Sequence, residues 1–293
     1  MRLYALDSGL AREDRAGVLA VLDLPYPDVG ALLRGPGIDA ARTAPVLREQ
    51  PLTPATLRSP VSRPGKVLIV GLNYGSHASE ALAMFAALGT PDITLPDEPN
   101  LQVCAGSAVT GPADPIRLPA VAAVYVDYEG EVAVVIGTTA TAVTVDEAWA
   151  HVAGLTIVND VSARDIQRRA MTGDPTASIG VAKSFDTFKP LGPCLVTADE
   201  FTDTPDLGLR TRVNGQLRQE DRTSGFLHSI PELIAYLSCY QTLEPGDVIC
   251  TGTPRGAGVF SERYLRAGDL VEVEVERIGV LTNRIVDNSA RKV

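Results

Sequence analysis

Two glutamates one residue apart offer the clearest chemistry in this sequence. Glu129 and Glu131 lie within residues 124–137, a largely apolar run that predicts a β-strand. Because residues two apart in a strand share a face, both carboxylates should point into the same space. Two like charges in a buried setting repel each other unless a cation or a proton offsets them. The pair therefore predicts a cation site; the alternative is an edge strand with two hydrated acids.

Asp160 offers a third carboxylate. It follows the apolar run 154–158 and Asn159, where a buried strand should give way to a turn or a helix, and side chains are commonly presented to a site at such a point. An aspartate in that place can also be a helix N-cap. Together with Glu129 and Glu131, it favours a set of three oxygen ligands for a hard divalent cation such as Mg²⁺.

Composition and charge argue against several classes of protein. A net charge of −10 disfavours a nucleic-acid-binding surface and means that an anionic substrate must be attracted locally. No apolar run approaches the ~20 residues of a membrane span, and the start lacks the apolar core of a secretory signal. The cysteines show no C-x-x-C pairing, so we expect reduced thiols in a cytoplasmic protein, without zinc or disulfides. They are Cys104, Cys194, Cys239 and Cys250.

Several ordered motifs resemble those of the fumarylacetoacetate hydrolase family, in particular its small bacterial-type members. The similarity extends from about Gly65 to near the C-terminus. The motifs are residues 70–80, 127–131, 159–167, 182–188, 213–215, 229–234 and 246–254. The resemblance implies a β-rich α+β fold, a mixed β-roll or β-sandwich with the metal pocket at its mouth. It also implies a homodimer, and Mg²⁺ or Mn²⁺ as the metal, with Ca²⁺ as an alternative.

The chain divides into two parts by composition. Residues 1–57 predict a small N-terminal accessory region, and a cluster of prolines that continues to Pro64 predicts a connector. Residues 58–293 then form the catalytic domain that the resemblance implies. Short Val- and Ile-rich runs predict strands at 67–70, 125–136, 195–197, 209–213 and 270–276. Helices are predicted at 76–88, 145–151 and 231–237.

His77 and Glu80 are candidates for activating a water molecule. They lie three residues apart, so a helix would place both on one face. A carboxylate beside an imidazole raises its basicity and fixes its orientation, as a general base requires. An isolated pair of this kind is more often a surface feature. In the family that the chain resembles, however, this segment is a lid that bears the catalytic base.

Five more positions match family residues with roles at the site. Lys183 corresponds to a lysine that stabilises developing oxyanion charge, although a lysine between apolar residues can simply keep its ammonium in water. Thr253 corresponds to a hydroxyl that binds a substrate carboxylate, although it could be only a turn residue. The last three positions correspond to residues that contact the substrate: Arg164, Gln167 and, with weaker support, Tyr74.

The sequence departs from the family pattern at two places. Where the family usually has Phe-x-Lys-Pro, this chain has residues 102–105, Gln-Val-Cys-Ala, and so lacks an aromatic ring and a positive charge beside the pocket. Lys189 stands where the family usually has a small or apolar residue. The predicted metal ligands and base are intact, so the departures question the usual substrate rather than activity itself.

The leading functional prediction is a metal-dependent hydrolase that cleaves a C–C bond in an acylpyruvate or a similar 1,3-dicarbonyl acid. The metal would polarise a carbonyl and stabilise the enolate, while His77 and Glu80 activate water. An alternative with the same metal site is a tautomerase, isomerase or decarboxylase that acts on a 2-keto or hydroxymuconate-type acid. An alternative of another class is a non-catalytic ligand-binding homologue. In each case the expected partner is a small anionic molecule.

Overall fold

A computed structural model describes residues 1–87, 92, 94–95, 97–122 and 124–287. Strands outnumber helices, which confirms the predicted strand-rich α+β class. The strands are β1 Arg2–Leu6, β2 Gly9–Arg15, β3 Val18–Leu22, β4 Val46–Pro51, β5 Leu57–Arg58, β6 Val67–Gly71, β7 Asn100–Cys104, β8 Val109–Thr110, β9 Ile116–Leu118, β10 Val126–Asp127, β11 Gly130–Ile136, β12 Val152–Asn159, β13 Ser162–Ala163, β14 Lys189–Thr197, β15 Gly208–Val213, β16 Gln216–Arg222, β17 Val248–Cys250, β18 Leu270–Val275 and β19 Gly279–Asp287. The helices are α1 Val29–Leu33, α2 Ala40–Thr43, α3 Gly75–Ala87, α4 Val145–Ala148, α5 Arg164–Met171, α6 Ile179–Ala182 and α7 Ile230–Tyr240.

Two sheets form the framework. The larger has the order β4-β3-β2-β1-β14-β12-β11-β17-β6-β7, with β5 paired to β1 and β8 paired to β14. The smaller has the order β16-β15-β18-β19-β9, and β10 pairs separately with β13. Strands β11 and β12 are antiparallel neighbours with Gly130 opposite Asn159. This register brings the start of β11 beside the end of β12, where the candidate ligands lie.

Strand β11 is buried on both of its faces. Val132, Val134 and Ile136 belong to an apolar cluster that includes the smaller sheet and α7. Ala133 and Val135 belong to a second cluster that includes α1. Burial on both faces explains why this strand is continuously apolar rather than alternating. It also gives the adjacent carboxylates a rigid support.

The predicted strand at 125–136 is interrupted, which corrects that prediction. It consists of β10 and β11, with Tyr128 and Glu129 between them. The Asp127 carboxylate accepts hydrogen bonds from the backbone N–H groups of Tyr128 at 2.8 Å, Gly258 at 2.7 Å and Val259 at 2.9 Å. Because the Tyr128 N–H donates to the Asp127 side chain, it is not available to pair with a neighbouring strand at this point.

The helix predictions hold better for position than for length. Helix α3 begins one residue before the predicted start, and the predicted end at Leu88 lies outside the described residues. The segment predicted at 145–151 is α4 followed by a 3₁₀ turn, and α7 extends beyond 231–237 at both ends. Helix α7 begins with a capping box between Ser229 and Glu232. Helix α5 was not predicted.

The N-terminal strands continue the larger sheet. On β1, Arg2 lies opposite Val196 and Leu3 lies opposite Leu195, both on β14. The division of the chain at residue 57 stays a prediction. Within the described ranges, no helix is both long enough and apolar enough to cross a membrane.

Candidate metal centre and active site

The three predicted metal ligands meet where β11 and β12 adjoin. Glu129 precedes β11, Glu131 is the second residue of that strand and Asp160 follows β12. One carboxylate oxygen from each lies within 4.8 Å of the others, and all three residues are buried. The backbone fixes this arrangement, since the Asp160 N–H donates to the Glu129 carbonyl at 2.7 Å. The geometry brings the three acids together as the sequence predicted.

Cations hold Glu129 in its ionised form. Lys183 Nζ lies 2.6 Å from Glu129 Oε2, and the guanidinium of Arg164 donates to Oε1. Burial favours the protonated carboxyl, but the positive charges, Arg164 first and Lys183 next, outweigh burial and hold the pKa of Glu129 well below its usual range. These contacts therefore favour the ionised form of Glu129 in this pocket.

Glu131 lies in a different electrostatic environment. It is 1% exposed, and its Oε2 accepts a hydrogen bond from the Gly252 N–H at 2.8 Å. In the described part of the chain, no Lys or Arg forms an ion pair with it. Burial, followed by repulsion from Asp160 and Glu129, raises the pKa of Glu131 well above its usual range. A bound cation would therefore favour the ionised form of this carboxylate.

Two lysines surround the Asp160 carboxylate. Lys183 Nζ donates to Asp160 Oδ2. Lys189 Nζ lies 2.8 Å from Oδ1 and also donates to backbone carbonyls. The site therefore combines a carboxylate that is paired with lysines and, in Glu131, a buried acid that has no paired cation among the described residues. Three hard oxygen donors of this kind fit a divalent ion such as Mg²⁺ or Mn²⁺.

Arg164 clamps the site from the first turn of α5. Its Nε donates to Asp127 at 2.8 Å, and its Nη1 donates to Gln167 Oε1 at 2.6 Å. With the contact to Glu129, each guanidinium nitrogen has an acceptor. Arg164 and Gln167 both line the cavity. Their predicted contacts with substrate stay a prediction, and Arg164 additionally orders the carboxylates.

His77 and Glu80 share one face of α3 without a hydrogen bond between them. His77 Nδ1 is 3.8 Å from Glu80 Oε2, and this buried nitrogen has no hydrogen-bond partner among the described residues. Glu80 Oε2 instead accepts from the Gly256 N–H at 3.0 Å. The imidazole lines the cavity and packs edge to face on Phe260 at 5.4 Å. His77 is thus available for proton transfer, whereas Glu80 is engaged elsewhere.

Of the other two predicted substrate contacts, Thr253 lines the cavity and Tyr74 does not. Thr253 lines the cavity, and its hydroxyl donates to the Gly130 carbonyl at 2.9 Å while accepting from Gln219 at 2.8 Å. Tyr74 is fully buried, and the centroid of its ring lies 4.8 Å from that of Phe226. Burial first, and then the charge of Glu131, raises the pKa of Tyr74 well above its usual range. The roles of both residues stay predictions.

The cavity at this site has a volume of about 160 Å³. The sequence patterns did not predict several residues that line this cavity or that contact its lining residues. These are the cavity residues Asn100, Met171 and Phe260, and the supporting residues Asp127, Asn159, Lys189 and Gln219. The Asp-Tyr-Glu-Gly-Glu motif already contained Asp127, so an acid two positions before Glu129 was the available signal. A larger groove, of about 960 Å³, lies beside β1 and β19, away from the one ligand cluster found in the described chain.

Known proteins resemble this chain in sequence. A family model described as "Fumarylacetoacetate (FAA) hydrolase C-terminal" matches residues 66–286. The chain belongs to the fumarylacetoacetate hydrolase family. Within this family, the mitochondrial oxaloacetate tautomerase FAHD2B of Bos taurus is 42% identical over 248 residues, which cover 84% of this chain and 73% of that protein.

Solved structures of the family have the same fold. The 5-carboxymethyl-2-hydroxymuconate delta-isomerase of Mycobacterium smegmatis is 36% identical with a TM-score of 0.75, and the match covers 98% of this chain and 100% of that one. The maleylpyruvate hydrolase of Sphingobium sp. SYK-6, solved with manganese(II) and pyruvate, is 28% identical with a TM-score of 0.74, covering 98% and 99%. These names confirm an enzyme family, and the tautomerase and isomerase names support the alternative reaction better than the predicted hydrolysis.

Proposed function

We propose that this chain is a divalent-metal-dependent tautomerase that interconverts the keto and enol forms of a small 2-oxo dicarboxylic acid such as oxaloacetate. The observation that carries the proposal is the cavity itself. It combines three buried carboxylates with the buried Nδ1 of His77, and in the described part of the chain one of the acids has no paired cation and this nitrogen has no hydrogen-bond partner. The bovine relative that is 42% identical is named for this reaction.

The residues have separate tasks in this proposal. Glu129, Glu131 and Asp160 would hold Mg²⁺ or Mn²⁺, which supplies Lewis acidity toward a 2-oxo carbonyl and so makes the adjacent C–H more acidic. His77 Nδ1 takes that proton and returns one to the substrate oxygen. Lys183 holds the Glu129 and Asp160 carboxylates, and its positive charge also favours the developing oxyanion.

Hydrolysis of a C–C bond is the second candidate. Glu80 lies 3.8 Å from His77 Nδ1, so a small rotation of its carboxylate could pair the two residues around a water molecule. The hydrogen bond from Gly256 to Glu80 opposes this movement. Tautomerisation needs no activated water, so the observed arrangement favours it.

A paired assay separates the reactions. Enol oxaloacetate, freshly dissolved, is followed by its ultraviolet absorbance with Mg²⁺, with Mn²⁺ and with EDTA, while acylpyruvate cleavage and CO₂ release are measured on the same samples. The proposal expects metal-dependent loss of enol absorbance well before any cleavage or decarboxylation. Faster acylpyruvate cleavage would support the second candidate, and CO₂ release at the rate of enol loss would support a decarboxylase. Glu131→Gln should abolish the activity, whereas Glu272→Gln, on the smaller sheet, serves as the matched control.

We further propose that the protein is a cytoplasmic homodimer. Light scattering coupled to size exclusion tests the assembly, and fractionation of the source cells tests the location. A monomer that retains full activity would refute the proposed dimer.

A further inference from the structure

Lys189 is a buried ammonium that the proposed reaction does not yet use. The residue begins β14 and is 0% exposed. Its Nζ donates to the carbonyl oxygens of Val161 at 3.2 Å, Phe188 at 3.1 Å and Lys183, and lies 2.8 Å from Asp160 Oδ1. Three carbonyls and the Asp160 oxygen thus surround this ammonium. Lys189 places a positive charge 2.8 Å from the Asp160 carboxylate.

The same ammonium changes the charge balance of the buried site. Four carboxylates are buried there, and three cationic side chains accompany them. The acids are Asp127, Glu129, Glu131 and Asp160, and the cations are Arg164, Lys183 and Lys189. With every group ionised, the net charge of these seven side chains is −1, and without Lys189 it would be −2. A divalent ion therefore gives a net positive site only when Lys189 is present, which is what binding an anion requires.

Lys189 and Cys104, at the end of β7, adjoin the same segment, because Lys189 Nζ donates to the Lys183 carbonyl and Ala105 donates to the next residue, Ser184. Cys104 Sγ contacts the Gly180 carbonyl at 3.7 Å, and the next residue, Ala105, donates its N–H to Ser184 at 3.0 Å. Burial raises the pKa of the Cys104 thiol, and the positive charge of Lys189 opposes that effect. The two departures from the family pattern, at residues 102–105 and at Lys189, therefore border the same segment, Lys183 and Ser184.

We propose that Lys189 is a positioning residue that supplies from β14 the positive charge absent at Cys104, and that it enables the metal-loaded site to accept a dianion. The inference rests on the metal site of the proposed function. Removal of one unit of positive charge from this site should weaken the binding of an anion at least about tenfold, because a loss of only ~1.4 kcal/mol of attraction is a factor of ten. Binding of the cation should be unchanged or tighter, because the remaining site is more negative.

Two titrations test this inference without turnover. Calorimetry measures Mn²⁺ binding and then oxalate binding to the Mn²⁺-saturated protein, because oxalate is an unreactive dianion of suitable shape. Lys189→Met should bind Mn²⁺ at least as tightly as the natural chain and oxalate at least about tenfold more weakly. Lys66→Met, which loses an ion-paired lysine that does not line the cavity, is the matched control and should bind both normally.

A charge-swap variant separates position from charge. Cys104→Lys/Lys189→Ala returns an ammonium from β7 instead of β14 and should restore oxalate affinity to within about twofold of the natural chain. Unchanged oxalate affinity in Lys189→Met, or no recovery in the double variant, overturns the inference. If Lys189→Met does not fold, the double variant decides alone, and its failure to fold or to bind oxalate counts against the inference. Absence of Mn²⁺ binding by the natural chain would instead refute the metal site, which keeps the two failures distinct.

Discussion

Glu131 and Asp160 face each other in one buried pocket, yet only Asp160 is held by cations. Lys183 and Lys189 both contact Asp160, whereas the Glu131 carboxylate accepts one backbone hydrogen bond from Gly252. Repulsion from Asp160 is the largest cause, after burial, of the raised pKa of Glu131. The pocket therefore stores an unfavourable interaction that a bound divalent cation would relieve.

The first prediction concerns the stability of the metal-free protein. The folded-state pKa of Glu131 lies above its ordinary value of 4.5, so the folded chain binds a proton that the unfolded chain has released. Glu131 therefore destabilises the metal-free protein increasingly as the pH rises above that value. Glu131→Gln should raise the melting temperature in EDTA at pH 7.5 by about 2–4 °C, as expected for roughly 1 kcal/mol in a chain of this size.

The pH series and the metal provide the controls for this first prediction. At pH 4.5 the gain from Glu131→Gln should shrink, and added Mn²⁺ should stabilise the natural chain but not the variant. Glu272→Gln, on the smaller sheet, should show neither effect. A Glu131→Gln protein that melts lower than the natural chain in EDTA would mean that the carboxylate is already compensated without metal.

The second prediction separates His77 from Glu80. His77→Ala should lower the rate of tautomerisation roughly 10²–10⁴-fold, the usual contribution of a general base, with unchanged Mn²⁺ affinity. Glu80→Gln should lower it by less than about tenfold, because Glu80 forms a hydrogen bond with Gly256 and none with His77. Stopped-flow decay of enol oxaloacetate provides the rates. If both variants lose the same large factor in rate, His77 and Glu80 act as a pair, which would favour the hydrolase.

Sequence patterns located the ligands because their signals are local. The spacing of Glu129 and Glu131, and the end of an apolar run at Asp160, depend on only a few neighbouring residues. On β18, the alternation of apolar and acidic residues likewise agrees with burial of Val271 and Val273. Such patterns follow directly from the two-residue period of a strand.

Features that depend on distant residues were missed. At the break after Asp127, the backbone N–H of Glu129 donates to the side chain of Asn159, thirty positions away. The Asp127 carboxylate also accepts from Gly258 and Val259, more than a hundred positions away. The contact between Lys189 and Asp160 joins the start of β14 to the residue that follows β12, and it has no local signature. Side-chain hydrogen bonds across the fold determine these features, and periodicity contains no information about them.

The third prediction concerns Lys183 as an internal counter-ion. Its ammonium contacts both Glu129 and Asp160, and although burial disfavours the charged form, these acids raise the pKa of Lys183 above its usual range. Lys183→Met leaves buried carboxylates with one cation fewer, so the metal-free protein should lose about 3–5 kcal/mol of unfolding free energy. Urea titration measures this loss. Saturating Mn²⁺ should recover part of it, because the ion compensates the same charges, and an equal loss with and without Mn²⁺ would show that Lys183 acts only through packing.

The fourth prediction tests whether Arg164 orders the carboxylates or only binds substrate. Its three nitrogens donate to Asp127, Gln167 and Glu129, a fork that a lysine ammonium cannot reproduce. Arg164→Lys keeps the charge but should weaken Mn²⁺ binding about tenfold or more, the effect expected when a partner that orients a ligand is lost. Gln167→Ala removes one acceptor and leaves Asp127 and Glu129 in place, so its Mn²⁺ affinity should remain normal. If Arg164→Lys binds Mn²⁺ normally and loses only affinity for oxalate, Arg164 contacts the substrate and the order of the carboxylates comes from Lys183.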